Sequence, residues 1–124
     1  MAKEYKTQME AARKGIVTPE IEKVAAKEHM SVEELLPLVA CGKVAIPANV
    51  NHKCLEPEGI GSMLRTKINV NLGVSRDCKD YNVEMKKVMS AVNMGAEAIM
   101  DLSSHGNTQP FRRKLTSECP VMIG

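Results

Sequence analysis

At 124 residues, 44% of them hydrophobic and 26% charged, the chain is long enough for one domain with a modest core and has an ordinary globular composition. Its aromatic residues are Tyr5, Tyr81 and Phe111, Trp is absent, and the net charge of +2 comes from 17 basic and 15 acidic side chains that form no block. A reader that stacks nucleic-acid bases on aromatic rings is thereby excluded, no nucleic-acid partner is expected, and electrostatics names no other.

The start, MAKEYKTQMEAARKG, is polar and lacks the apolar core of a signal peptide. No apolar run is long enough to cross a bilayer, so no membrane partner is expected and the cytoplasm is the expected compartment. Lys6 to Lys14 reads as a short helix stopped by Gly15. Thr18 then serves as N-cap of a second helix with Pro19 at its first position, and Ile21, Val24 and Ala25 share one face. A third helix opens on Ser31 and Glu34, the spacing of a capping box, and Gly42 marks its end. Pro37 interrupts its stripe of Leu35, Leu36 and Val39 and is expected to kink or shorten it.

Lys43 to Pro47 (KVAIP) is a short strand, followed by a long irregular polar stretch from Ala48 to Leu64. Loops of that length are uncommon in compact domains and are often functional. The pattern then changes to alternating strands and helices. Thr66 to Leu72 is a strand. Asn82 caps a helix with Met85, Val88, Met89 and Val92 at helical spacing, and Gly95 ends it. Glu97 to Leu102 is a second strand, Pro110 to Ser117 a second helix with Phe111 and Leu115 inward, and Pro120 to Ile123 the start of a third strand. The expected organisation is a helical region over residues 1–64, with a short strand and a long polar loop, and a β-α-β-α-β region over 65–124. The second region is α/β with parallel strands, the opening of either a barrel or a doubly wound sheet. It ends on a strand with no helix to cover it, which points to a truncated domain.

Parallel α/β folds bind ligands at the carboxyl ends of their strands. Asn69 and Asn71 lie two apart on the first of these strands and therefore share a face, where two amides can serve a polar heterocycle or else satisfy a neighbouring loop. Met100 and Asp101 end the second strand, and Asp101 can hold the next loop or serve in a site. His105, in the loop SSHGN, and His52, in NVNHK, can each be a base or ligand or neither. Cys41, Cys54, Cys78 and Cys119 are too scattered for a zinc or cluster knuckle and read as core or surface residues. No phosphate-loop, dinucleotide, zinc-protease or nucleophile-elbow motif is present.

Whole phrases are more specific. KTQMEAARKGIVTPE, IPANVNHKCLEPEGIG, LRTKINVNLG and GAEAIMDLSS, in that order, resemble the phosphomethylpyrimidine synthase (ThiC) family over residues 6–124. The resemblance implies a helical N-terminal region followed by the first strands and helices of a (β/α)8 barrel. It implies a lyase that uses a [4Fe–4S] cluster and S-adenosylmethionine to turn aminoimidazole ribotide into hydroxymethylpyrimidine phosphate for thiamine, with a divalent metal (zinc), in a homodimer. It carries substrate contact to Asn71 and Met100, with Asn69, Asp101, His52 and His105 as supporting candidates. The cluster motif Cys-x2-Cys-x4-Cys has no match here, so this piece is expected to bind no cofactor and to be inactive alone. The wording MDLSSHGNTQPFRRKL differs from the MDLSTGGD type and leaves open the paralogue that makes 5-hydroxybenzimidazole from the same substrate. A non-catalytic remnant or assembly module is the reading of a different class.

Overall fold

The computed structural model describes residues 4–124 and divides into two compact units. The first contains the residues up to Ala48 together with Pro57–Thr66, and the second contains Asn49–Glu56 and Lys67–Gly124.

Three short helices and one antiparallel pair build the first unit. Helix α1 spans Gln8–Arg13, α2 Pro19–Lys27 and α3 Val32–Ala40. Thr18 caps α2 by accepting from the Ile21 N–H, and Ser31 and Glu34 close the capping box of α3 reciprocally. Pro37 lies inside α3 and does not shorten it. The ring removes a hydrogen bond to the Glu33 carbonyl, but both residues are on the exposed side, where water can take that carbonyl. Ile21, Val24, Leu35 and Val39 point inward onto Val44 and Ile46, so the apolar stripes of α2 and α3 make one core. The strand expected at Lys43–Pro47 is shorter, Val44–Ala45 (β1). Its partner, antiparallel β2 at Ile60–Gly61, emerges from the stretch that reads as wholly irregular. Two-residue strands have no periodicity to detect, which is why the sequence conceals β2.

The second unit contains strand β3 (Asn69–Leu72), helix α4 (Tyr81–Asn93), strand β4 (Ala98–Asp101), helix α5 (Gln109–Glu118) and strand β5 (Met122–Ile123). The strands pair in parallel in the order β3-β4-β5. Val70, Leu72, Ile99 and Ile123 meet Met85, Val88, Phe111 and Leu115, so both helices cover the same face of the sheet. This is the β-α-β-α-β arrangement expected from the sequence, as an open three-stranded sheet; the described residues form no closed barrel.

Two expectations about α4 need correction. Its N-cap is Asp80, not Asn82: the Asp80 carboxylate accepts from the Asn82 and Val83 N–H groups. Its buried stripe is Glu84, Met85, Val88 and Ala91, while Met89 is exposed at the margin. Residues Asn49–Glu56 belong with the second unit because the end of α5 holds them. The Cys119 carbonyl accepts from the His52 imidazole Nε2 at 2.6 Å and from the Cys54 thiol at 3.2 Å, and the Pro120 carbonyl accepts from the Glu56 N–H at 2.7 Å.

Candidate functional site

The parallel register sets Asn71 beside Met100, and Leu72 beside Asp101. Side chains of paired residues in parallel strands leave the sheet on the same side, and neighbouring strands are about 4.8 Å apart. Asn69, Asn71 and Met100 therefore share the face opposite the helices, and all three are exposed. The Asn69 amide donates to the Asn71 Oδ1 at 3.4 Å. Among the described residues the Asn71 NH2 has no partner. β5 continues the row. Gly124 donates its N–H to the Ile99 carbonyl at 2.9 Å and accepts from the Asp101 N–H at 2.9 Å, which brings it next to Met100. A Cβ at Gly124 would lie 2.9 Å from the Met100 Cε and Sδ, so the glycine leaves the thioether room. An amide, a thioether and a bare backbone thus stand in a row at the carboxyl ends of three adjacent parallel strands.

Asp101 points the other way. Its side chain follows Ile99 to the helix side, where its carboxylate accepts from the Ser103 N–H and from the Arg112 Nε, both at 3.0 Å. Burial pushes its carboxyl upward, but the bonds from the Ser103 hydroxyl, the Arg112 guanidinium and the Ser103 N–H outweigh this and hold it below the usual carboxylate range. Its ligands are the loop after β4 and α5; it borders a cleft of about 210 Å³ with Arg112, Leu115, Thr116 and Ile123 on that side of the sheet. His52 bonds to Cys119, just before β5, and so lies at the amino ends of the strands, the end opposite the Asn71–Met100 row. His105 is half-buried in the turn between β4 and α5.

The exits of β3 and β4 are knitted together behind this row. The Leu102 N–H donates to the Leu72 carbonyl at 2.7 Å, the Ser104 N–H to the Val74 carbonyl at 3.0 Å, and the Val74 N–H to the Ser103 hydroxyl at 3.1 Å. At Gly73 the backbone has φ +145°, and a Cβ would come within 2.5 Å of the Ser103 nitrogen. Ser103 opens the loop SSHGN that the sequence places at the strand ends, whereas local sequence gives Gly73 and Gly124 no such mark beyond the phrase NLG, which fits this close approach of two loops.

Among the described residues no three of His, Cys, Asp and Glu come together as a group able to hold a metal. The thiols are dispersed: Cys41 is exposed, Cys54 and Cys78 half-buried and Cys119 buried, with burial raising the Cys119 thiol. No helix among the described residues is long and apolar enough to cross a membrane.

The profile of the Radical SAM ThiC family matches residues 7–124. The chain belongs to this family. A phosphomethylpyrimidine synthase of Clostridium botulinum (strain Hall) is 61% identical over 120 residues, which cover 97% of this chain and 28% of that protein. The phosphomethylpyrimidine synthase of Clostridium novyi (strain NT) is likewise 61% identical over 120 residues, with the same coverage. The chain therefore spans about 28% of the length of these ThiC relatives. They carry the pyrimidine synthase name, and the benzimidazole paralogue gains no support from them.

Proposed function

We propose that this chain supplies the first substrate-binding residues of a phosphomethylpyrimidine synthase, with Asn71 and Met100 as contacts to aminoimidazole ribotide. The observation that carries this reading is the exposed row of Asn71, Met100 and Gly124 at the carboxyl ends of three parallel strands. Asn71 offers two N–H donors and a carbonyl oxygen, which suit the ring nitrogen, amino group and ribose hydroxyls of an aminoimidazole nucleotide. Met100 offers a polarisable thioether that packs against a flat ring, and Gly124 keeps space for it. Asn69 orients Asn71 through its 3.4 Å bond. Asp101 serves the site by holding the β4–α5 loop rather than by touching the substrate. His52, at the other end of the strands, is a loop anchor.

The activity proposed for the whole protein is the rearrangement of aminoimidazole ribotide to hydroxymethylpyrimidine phosphate in thiamine biosynthesis. The family's radical chemistry implies S-adenosylmethionine and a [4Fe–4S] cluster, and the proposal extends to the family's zinc and homodimer and to the cytoplasm. The residues described here do not fit the cluster, because their thiols are dispersed and no metal-holding group forms among them. The contribution proposed for these residues is binding and orientation of the nucleotide at the strand ends.

The test uses the product of the complete reading frame that contains these residues. Titration with aminoimidazole ribotide should show saturable binding that Asn71→Ala weakens, and binding unaffected by Asn71→Ala would remove the proposed contact.

A further inference from the structure

Glu84 is a carboxylate with no exposure, in the first turn of α4, on a helix whose other charges face solvent. A charge buried this deeply is retained only when its lone pairs are well matched. Its Oε2 accepts from the Gly73 N–H at 3.0 Å. Its Oε1 accepts from the Lys87 ammonium at 2.6 Å, and the Cys78 thiol stands 3.8 Å from the same oxygen. Gly73 follows Asn71 by two residues. It is the position whose φ of +145° and contact with Ser103 let the exits of β3 and β4 lie against each other. The carboxylate thus fastens the point at which β3 leaves the sheet, and the strand end it fastens carries Asn71 against Met100.

We infer that Glu84 is a positioning residue for the nucleotide site: by accepting from the Gly73 N–H it fixes the strand end that presents the Asn71 amide. This rests on the reading of Asn71 and Met100 as substrate contacts. The residue touches no substrate itself. Its effect runs through one backbone N–H, which Lys87 and Cys78 do not share.

The experiment compares Glu84→Gln, Glu84→Asp, Lys87→Met and Asn71→Ala in the product of the complete reading frame. The readouts are titration with aminoimidazole ribotide, hydrogen exchange over residues 72–75, and thermal melting. Glu84→Gln keeps the volume but loses the charge that makes the Gly73 bond strong. Its dissociation constant should rise about tenfold, in the range of one charge-assisted hydrogen bond, with faster exchange over residues 72–75. Glu84→Asp keeps the charge but withdraws it one methylene from Gly73, and should show a smaller loss of affinity; it decides the matter should Glu84→Gln fail to fold. Lys87→Met removes the exposed half of the ion pair but leaves the Gly73 N–H bond in place, so it should lower the melting temperature while costing less affinity than Glu84→Gln. Unchanged affinity in both folded Glu84 variants, or in Glu84→Asp alone where Glu84→Gln does not fold, overturns the inference, as does a loss in Lys87→Met equal to that in the Glu84 variants. Weakened binding in Asn71→Ala with unchanged binding in the Glu84 variants overturns this inference alone; unchanged binding in Asn71→Ala overturns the site reading and this inference with it.

Discussion

Replacing Asn71 with alanine separates the two things this side chain can do. Among the described residues the one hydrogen bond of this side chain is the 3.4 Å contact with Asn69, at the long limit of such bonds, and the side chain is exposed. Its removal should therefore change folding stability by no more than about 0.5 kcal/mol, the usual scale for a surface substitution. On the proposed contact the same amide is desolvated against a bound nucleotide, and deleting it leaves a polar group of the ligand without a partner. That costs about 1–3 kcal/mol of binding, or roughly a 5- to 150-fold rise in dissociation constant. Calorimetric titration with aminoimidazole ribotide, paired with a thermal melt, reads both numbers. Asn71→Ala should show a large binding loss with a nearly unchanged melt. A normal dissociation constant refutes the contact, and a collapsed melt refutes the claim that the residue is free of structural duty.

Met100→Leu conserves volume but loses the sulfur, and should weaken nucleotide binding by about 1.5 kcal/mol or less, read by the same titration. Gly73→Ala should lower the melting temperature sharply, because a Cβ at φ +145° meets the Ser103 backbone at 2.5 Å and backbone cannot swing aside; an unchanged melt would show that the two loops separate freely. The lowered Asp101 carboxyl makes a pH prediction. Between its folded and unfolded values the unfolded chain binds more protons, so the contribution of Asp101 is present above the unfolded value and is lost as pH falls through the folded one. Asp101→Asn should accordingly lose stability at neutral pH and show a shallower acid limb, measured by denaturant melts across that range. Iron–sulfur reconstitution of the 124-residue chain by itself should yield no stoichiometric [4Fe–4S] absorption and no cleavage of S-adenosylmethionine, since its thiols are dispersed; a full cluster spectrum with turnover would contradict that.

Short-range patterns made the helices legible. Thr18 with Pro19, and Ser31 with Glu34, act within one turn of chain, so the sequence alone places those helix starts, and the structure has the same caps. The alternation of apolar strands and helices over residues 65–124 likewise determined a parallel α/β unit, because each strand must return over a crossover helix. The shared face of Asn69 and Asn71 followed from the two-residue period of a strand.

Contacts between segments distant in sequence were decided only by the tertiary structure. The pairing register, a long-range quantity, set Asn71 beside Met100 and turned Asp101 to the helix side with Arg112. His52 reads as a promising polar-loop residue, yet its bond to a carbonyl 67 positions away put it at the amino ends of the strands. Glu84 looks in sequence like an ordinary acidic residue in a helix's first turn. Its burial depends on the loop after β3 folding back to bring the Gly73 N–H to it, an encounter that no local period records. Sequence periodicity reports which face a residue takes within its own element; what lies opposite that face is set by packing between elements, and that is where the site was assembled.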